Sequence, residues 1–227
     1  MKAGIISDSH SNPWGQQTVL REIREREIPI KYTYNLGDVS GMFPAVIEAV
    51  EKAREECKVS LLGNHDGVLI HCFEDDPRRE ERIQALRKNR TRIMLANRQD
   101  LFEWFGSLPI DFSEQGVYFV HNSPFGEKNP NKIEYMLARF GQGMRDPKDP
   151  KFDSEESRLL QASNFPQQVI VRGHSHLPSV HKIKRGLKKV RNNMVSVERL
   201  GVNQDNLEVN IDPDFNYIVT VPGGRYR

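Results

Sequence analysis

Three short strand-like runs at the start of the chain each stop at side chains able to bind a metal. Ala3 to Ser7 runs into Asp8-Ser9-His10, residues 31–36 into Gly37-Asp38, and residues 58–62 into Gly63-Asn64-His65-Asp66. Between them lie two amphipathic stretches, about Trp14 to Arg26 with Val19, Leu20 and Ile23 on one stripe, and about Pro44 to Glu56. The pattern β-α-β-α-β predicts a parallel sheet covered by helices. Parallel strands bring their carboxyl ends to one edge, where α/β proteins place their ligands. Asp8, His10, Asp38 and Asn64 are therefore expected to converge although far apart in sequence.

The second half repeats the arrangement. Val117 to Val120 reads as a strand that ends at His121, and Val169 to Arg172 as one that ends at Gly173-His174-Ser175-His176. Of the 7 histidines in the chain, only His71 and His181 fall away from such strand ends. Scatter for packing or solubility does not produce that concentration. Counted as ligands, Asp8, His10, Asp38, Asn64, His121, His174 and His176 exceed what one tetrahedral zinc needs and include no thiolate. Imidazole with carboxylate and amide oxygens suits divalent ions such as Mn²⁺, Fe²⁺ or Zn²⁺. With one carboxylate shared, the set divides evenly over two metals and leaves positions open for water and substrate.

The remaining chain frames this constellation. A length of 227 residues suits one domain, 1–227, in which 73–110 reads as a helical insertion packed beside the sheet edge. A core stripe of Ile133, Met136, Leu137 and Phe140 predicts a helix near Lys132 to Phe140. A loop is expected over Gly141 to Asp153 and a further helix near Ser154 to Ala162. From residue 178 the alternation predicts an antiparallel meander with strands at 178–183, 189–198, 207–210 and 215–221. Lys and Arg total 33 against 31 Asp and Glu, so no global field argues for a nucleic-acid partner. The basic run Lys182 to Arg191 reads as a solvated hairpin tip. No apolar run approaches the roughly 18 residues a membrane span needs, so no membrane partner is expected. Cys57 continues the apolar face of Val46, Val50 and Ala53 and reads as a buried thiol. Two cysteines without a framework fit a cytoplasmic location.

In order and spacing, Asp8-x-His10, Gly37-Asp38, Gly63-Asn64-His65-Asp66, His121 and Gly173-His174-x-His176 resemble the calcineurin-like metallophosphoesterase superfamily. Ser7-Asp8-Ser9-His10-Ser11-Asn12 is closest to its small bacterial and archaeal phosphodiesterases. The resemblance implies a four-layer α/β/β/α sandwich and two divalent ions, Mn²⁺ first, with Fe, Zn, Ni or Co as alternatives. It implies that Asp8, His10 and His176 hold one ion, Asn64, His121 and His174 the other, and that Asp38 bridges them. His65, next to ligand Asn64, is implied as the catalytic residue. The protein phosphatases of the superfamily carry Asp-Arg-Gly after the second block and Asn-His-Glu in the third. Here those places read Val39-Ser40-Gly41 and Asn64-His65-Asp66, which disfavours that activity and leaves Asp66 as a candidate partner of His65. At its C-terminal end the chain reads Thr220-Val221-Pro222-Gly223-Gly224 where the small phosphodiesterases usually carry Asn-Pro-Gly-Ser-Val-Gly, so the likeness covers residues 8–176.

The function expected is hydrolysis of a phosphodiester or phosphomonoester on a small nucleotide-type substrate by hydroxide that two metal ions activate. A nuclease acting on DNA or RNA is the alternative of the same chemistry. A non-enzymatic protein-binding scaffold with this fold is the alternative of another class. Intact His65 speaks against the scaffold. Oligomeric state is left open by the sequence.

Overall fold

The strands β1 (Gly4–Ile6), β2 (Thr33–Asn35) and β3 (Val59–Ser60) pair in parallel in the order β1-β2-β3. The structure is a computed structural model that describes residues 2–71, 80–122, 160–174, 176, 178–188, 195–199, 211–221 and 223. Helix α1 (Pro13–Glu25) starts as its sequence dictates, with Pro13 in the first turn and the Asn12 side chain accepting the Gly15 N–H at 3.0 Å. Its Leu20 and Ile23 pack on Ile6 of β1. Cys57 is half-buried rather than buried, and it joins this cluster instead of the one formed by Val46, Val50 and Ala53; burial still pushes its thiol up to about 12. Helix α2 (Val46–Glu56) starts after Pro44 and buries Val46, Ala49, Val50 and Ala53.

A second sheet, in the order β4-β5-β6-β9-β7-β8, faces the first. Its members are β4 (Asp111–Glu114), β5 (Val117–Val120), β6 (Val169–Arg172), β7 (Ser179–Lys184), β8 (Val195–Arg199) and β9 (Phe215–Thr220). Tyr34, Leu36 and Leu61 on one side and Phe119 and Val171 on the other fill the space between the sheets. Each such buried side chain contributes roughly 1.5–3 kcal/mol. The outer face of the second sheet, with Val120, Ile170, Ile183 and Ile218, packs on Leu160, Ala162 and Phe165 around a helical turn at 160–163. Helix, sheet, sheet, helix is the four-layer sandwich expected.

Several elements differ from the sequence reading. Antiparallel β7 and β8 follow it, but β9 does not extend a meander: it inserts between β6 and β7, parallel to the first and antiparallel to the second. Asn216, Tyr217 and Ile218 are all buried, as suits a central strand. Strand β4 was not anticipated; it forms a hairpin with β5 through Gln115 and Gly116, both at positive φ. Asn64-His65-Asp66 is not just the end of a strand, because a buried helix α3 (Asn64–His71) that the sequence reading does not include begins at Asn64. Helices α4 (Glu80–Leu95) and α5 (Gln99–Ser107) pack on α2 and α3 through Leu86, Ile93, Leu101 and Phe105. The expected helix at 132–140, the loop at 141–153, most of the helix at 154–162 and the strand at 207–210 lie outside the described residues. Among the described residues no helix is long and apolar enough to cross a membrane.

Candidate metal centre

Loops leaving the carboxyl ends of both sheets meet, and main-chain bonds continue the strand pairing past the strands themselves. Asp8 N–H donates to Gly37 O at 2.9 Å, His10 N–H to Asp38 O at 2.9 Å, and Gly173 N–H to His121 O at 3.2 Å. Five of the seven candidate ligands, Asp8, His10, Asp38, His174 and His176, lie at φ between 49° and 65°. This left-handed conformation is uncommon outside glycine and costs on the order of 1 kcal/mol per residue, although Asp and His tolerate it better than most. Such strain is kept where surrounding bonds enforce it, and it collects at functional sites.

The side chains form adjoining groups whose would-be ligand atoms lie within 4.8 Å of one another: Asp8, His10 and His176; Asp38, His121 and His174; and His10, Asp38 and His65. In the first, His176 Nε2 is 3.2 Å from Asp8 Oδ1 and 3.3 Å from His10 Nε2. In the second, Asn64 Oδ1 stands 3.0 Å from His121 Nε2 and 2.8 Å from His174 Nδ1, and His121 Nε2 is 3.3 Å from Asp38 Oδ2. All seven residues named from the sequence are therefore brought together. The centre opens at His176, whose side chain is 38% exposed, while Asp8 and Asp38 are closed off from solvent.

Protonation tests whether these residues suit a cation. His121 Nδ1 faces Leu36 O at 2.9 Å and so carries the hydrogen. In a neutral ring Nε2 then points a lone pair at two oxygens, from Asn64 and Asp38, so a proton or a cation belongs between them. Burial pulls the His121 imidazole down, but the Asp38 carboxylate outweighs it and lifts the pKa to about 9. Burial likewise opposes ionisation of Asp38, yet His121 and His65 hold its carboxyl well below the usual range. For Asp8 the desolvation cost is again overcome, chiefly by the bond with His176. Burial takes His174 down to about 4. Two ionised carboxylates beside imidazoles that can present lone pairs make a donor set that fits divalent metals.

His65 has a separate position. Its Nε2 is 4.0 Å from Asp38 Oδ2, and its ring stands edge-on to His10 with centroids 4.5 Å apart. Burial pulls it down to about 3, which keeps the imidazole neutral. Asp66 is aimed elsewhere: Oδ1 accepts the Ser40 N–H at 2.7 Å, and Oδ2 accepts those of Gly63 at 3.0 Å and Val39 at 3.3 Å. It ties the Asp38 loop to the start of α3, and burial lifts its pKa to about 6. Ser7, which donates to Asp8 Oδ2 at 2.5 Å, and Leu36, through its carbonyl, also went unnoticed in the sequence. Neither carries a local signal beyond lying within two residues of a ligand.

The Calcineurin-like phosphoesterase superfamily domain matches residues 1–194. The chain belongs to that superfamily. Its members are metal-dependent phosphoesterases, and the present site supplies a donor set of the corresponding type. An uncharacterized protein of Methanocaldococcus jannaschii is 31% identical over 182 residues, which is 78% of this chain and 63% of that protein. The chain thus spans less than two thirds of that relative's length. A metallophosphoesterase from Sphaerobacter thermophilus shares the fold, with a TM-score of 0.59 and 20% identity over 97% of this chain and 75% of its own. A hypothetical protein from Pyrococcus horikoshii does so at a TM-score of 0.52 and 13% identity, over 97% and 76%. Both likenesses to solved structures concern the fold alone.

Proposed function

We propose that this chain is a dinuclear metal-dependent phosphoesterase that hydrolyses a phosphodiester or phosphomonoester on a small nucleotide-type substrate. One observation carries the reading: the Asp38 carboxylate groups with His121 and His174 and also with His10 and His65, and His10 in turn belongs to the Asp8–His10–His176 group. In this reading Asp8, His10 and His176 hold one ion, Asn64, His121 and His174 the other, and Asp38 reaches both. The mixed oxygen and nitrogen donors favour Mn²⁺, with Fe, Zn, Ni or Co able to substitute. Bound ions of this kind lower the pKa of water and stabilise charge on phosphoryl oxygens.

The chain's own side chains supply the rest. His121 is oriented by Leu36 O, so its Nε2 is free to face the centre. His65, neutral and beside Asp38, donates its ring N–H to the leaving or non-bridging oxygen of the ester. His176 lies at the open side, where substrate arrives. A cytoplasmic location belongs to the same proposal.

The test is hydrolysis of bis-p-nitrophenyl phosphate and p-nitrophenyl phosphate with Mn²⁺ added. His65→Ala should keep bound metal and lose about 10²–10⁴-fold in turnover. Full turnover in that variant would remove His65 from the chemistry. Absence of both metal and turnover in the unaltered protein would instead favour the protein-binding scaffold.

A further inference from the structure

We propose that Asn89, on α4, is a positioning residue for the metal centre, fixing the surface on which the His10 imidazole rests. The inference rests on the reading of His10 as a metal ligand. Asn89 is 1% exposed in the middle of a helix, a place where a buried amide is costly unless satisfied. Its Nδ2 donates to Gly41 O and Phe43 O, each at 2.8 Å, with Ser11 Oγ a third acceptor at 3.3 Å. Its Oδ1 accepts from Arg92 Nη1 at 2.9 Å.

The three acceptors lie on the loops that follow β1 and β2, which carry His10 and Asp38. Those loops are already laced together. Ser11 N–H donates to Val39 O at 2.6 Å, Phe43 N–H to His10 O at 3.0 Å, and Gly41 N–H to Ser11 Oγ at 3.1 Å. Asn89 closes the far end of this lacing from a helix more than forty residues away in sequence.

Gly41 makes the connection to the ligand. It lies so close to the His10 ring that a Cβ there would come within 2.4 Å of Nδ1. His10 points Nε2 toward His176, so Nδ1 is its outer nitrogen, and among the described residues that buried atom has no hydrogen-bond partner. Metal-binding imidazoles are generally oriented by a bond from the outer nitrogen, as His121 is by Leu36 O. His10 lacks that bond, so packing must orient it, and the packing surface is the Gly41 backbone that Asn89 grips. The adjacent Arg90 extends the tie: its Nη1 donates to Leu69 O at 2.9 Å and Ile70 O at 2.6 Å, at the end of the helix that begins with Asn64 and His65.

Mn²⁺ titration calorimetry on the full chain tests this, with Asn89→Ala, the isosteric Asn89→Asp, and Ile93→Val as a packing control one turn along α4. Asn89→Ala and Asn89→Asp should each weaken Mn²⁺ binding about 10–100-fold, the second because a carboxylate would face two carbonyl oxygens. Ile93→Val should stay within about twofold of the unaltered protein. In metal-free Asn89→Ala, the amides of His10, Ser11 and Phe43 should exchange hydrogen faster while those of β5 and β6 do not change. Unchanged Mn²⁺ affinity in either Asn89 variant overturns the inference, as does an equal loss in Ile93→Val. Failure of the unaltered protein to bind Mn²⁺ would overturn the reading of the site, and this inference with it.

Discussion

Gly63→Ala is the smallest change that should damage the centre from outside the ligand set. The Cβ it adds would lie 2.0 Å from Asp38 N and 2.1 Å from Asp38 Oδ1, against an ordinary contact of 3.4 Å or more. Either Asp38 or the end of β3 must therefore retreat by about 1.4 Å, and the obstructing atom is backbone that cannot rotate away. Gly63 is not among the glycines at positive φ, so the cost is one of space alone. Alanine by itself would favour folding by about 0.4–1 kcal/mol through the unfolded chain. Overpacking costs about 1–3 kcal/mol, and a backbone clash belongs at the upper end. A net loss of about 2 kcal/mol lowers Tm by roughly 4–8 °C in a chain of this size. A displacement of about 1 Å at the reacting centre also costs about 10²-fold in turnover. Thermal unfolding in EDTA, Mn²⁺ titration and ester hydrolysis read the three effects. Gly173→Ala is the comparison: its Cβ would meet Ser7 Oγ at 2.0 Å and Asp8 Oδ2 at 2.7 Å, and the Ser7 hydroxyl can turn aside, so the loss should be smaller. A Gly63→Ala protein with unaltered Tm and Mn²⁺ affinity, or a reversed order of the two variants, refutes the reasoning.

Three further outcomes follow from buried polar groups. Gln16 is 2% exposed, and neither atom of its amide has a hydrogen-bond partner among the described residues, so Gln16→Met should raise the free energy of unfolding in urea by about 1–2 kcal/mol; a lower value would mean that the amide is satisfied. Asp66→Asn keeps the volume but loses acceptors for the N–H groups of Val39, Ser40 and Gly63, and should cost about 2 kcal/mol in the same assay. His121 has a pKa of about 9, so at pH 7 its proton occupies the place a cation would take. Mn²⁺ uptake should then release about one proton, and affinity should rise with pH up to about 9. Calorimetry in buffers of different ionisation enthalpy reads the proton directly, and equal heats in all buffers would contradict it.

The candidate ligands were legible because two local signals agree: an apolar run fixes where a strand ends, and alternating helices make the strands parallel. From these alone, Asp8, Asp38 and Asn64 are expected to share an edge, whereas the place of His121 and His174 beside them is what the family resemblance implies. Helix α3 was hidden because Val68 and Leu69 are buried along with Asn64, His65 and Asp66, so the segment shows no polar face and no helical period. The place of β9 between β6 and β7 is a choice among long-range pairings that no local pattern records. Asp66 looked like part of the reactive cluster because sequence adjacency does not say which way a side chain points on a helix. Asn89 gave no signal at all, since its acceptors lie on other loops and a lone Asn in a charged helix reads as solvated.

The central claim is that Asp38 joins two ions in one centre. Metal content per chain after Mn²⁺ loading and gel filtration, measured on the unaltered protein and on Asp38→Ala, tests it most directly. The account predicts two ions per chain in the first and one or none in the second. A single ion in the unaltered protein, kept in full by Asp38→Ala, would contradict it.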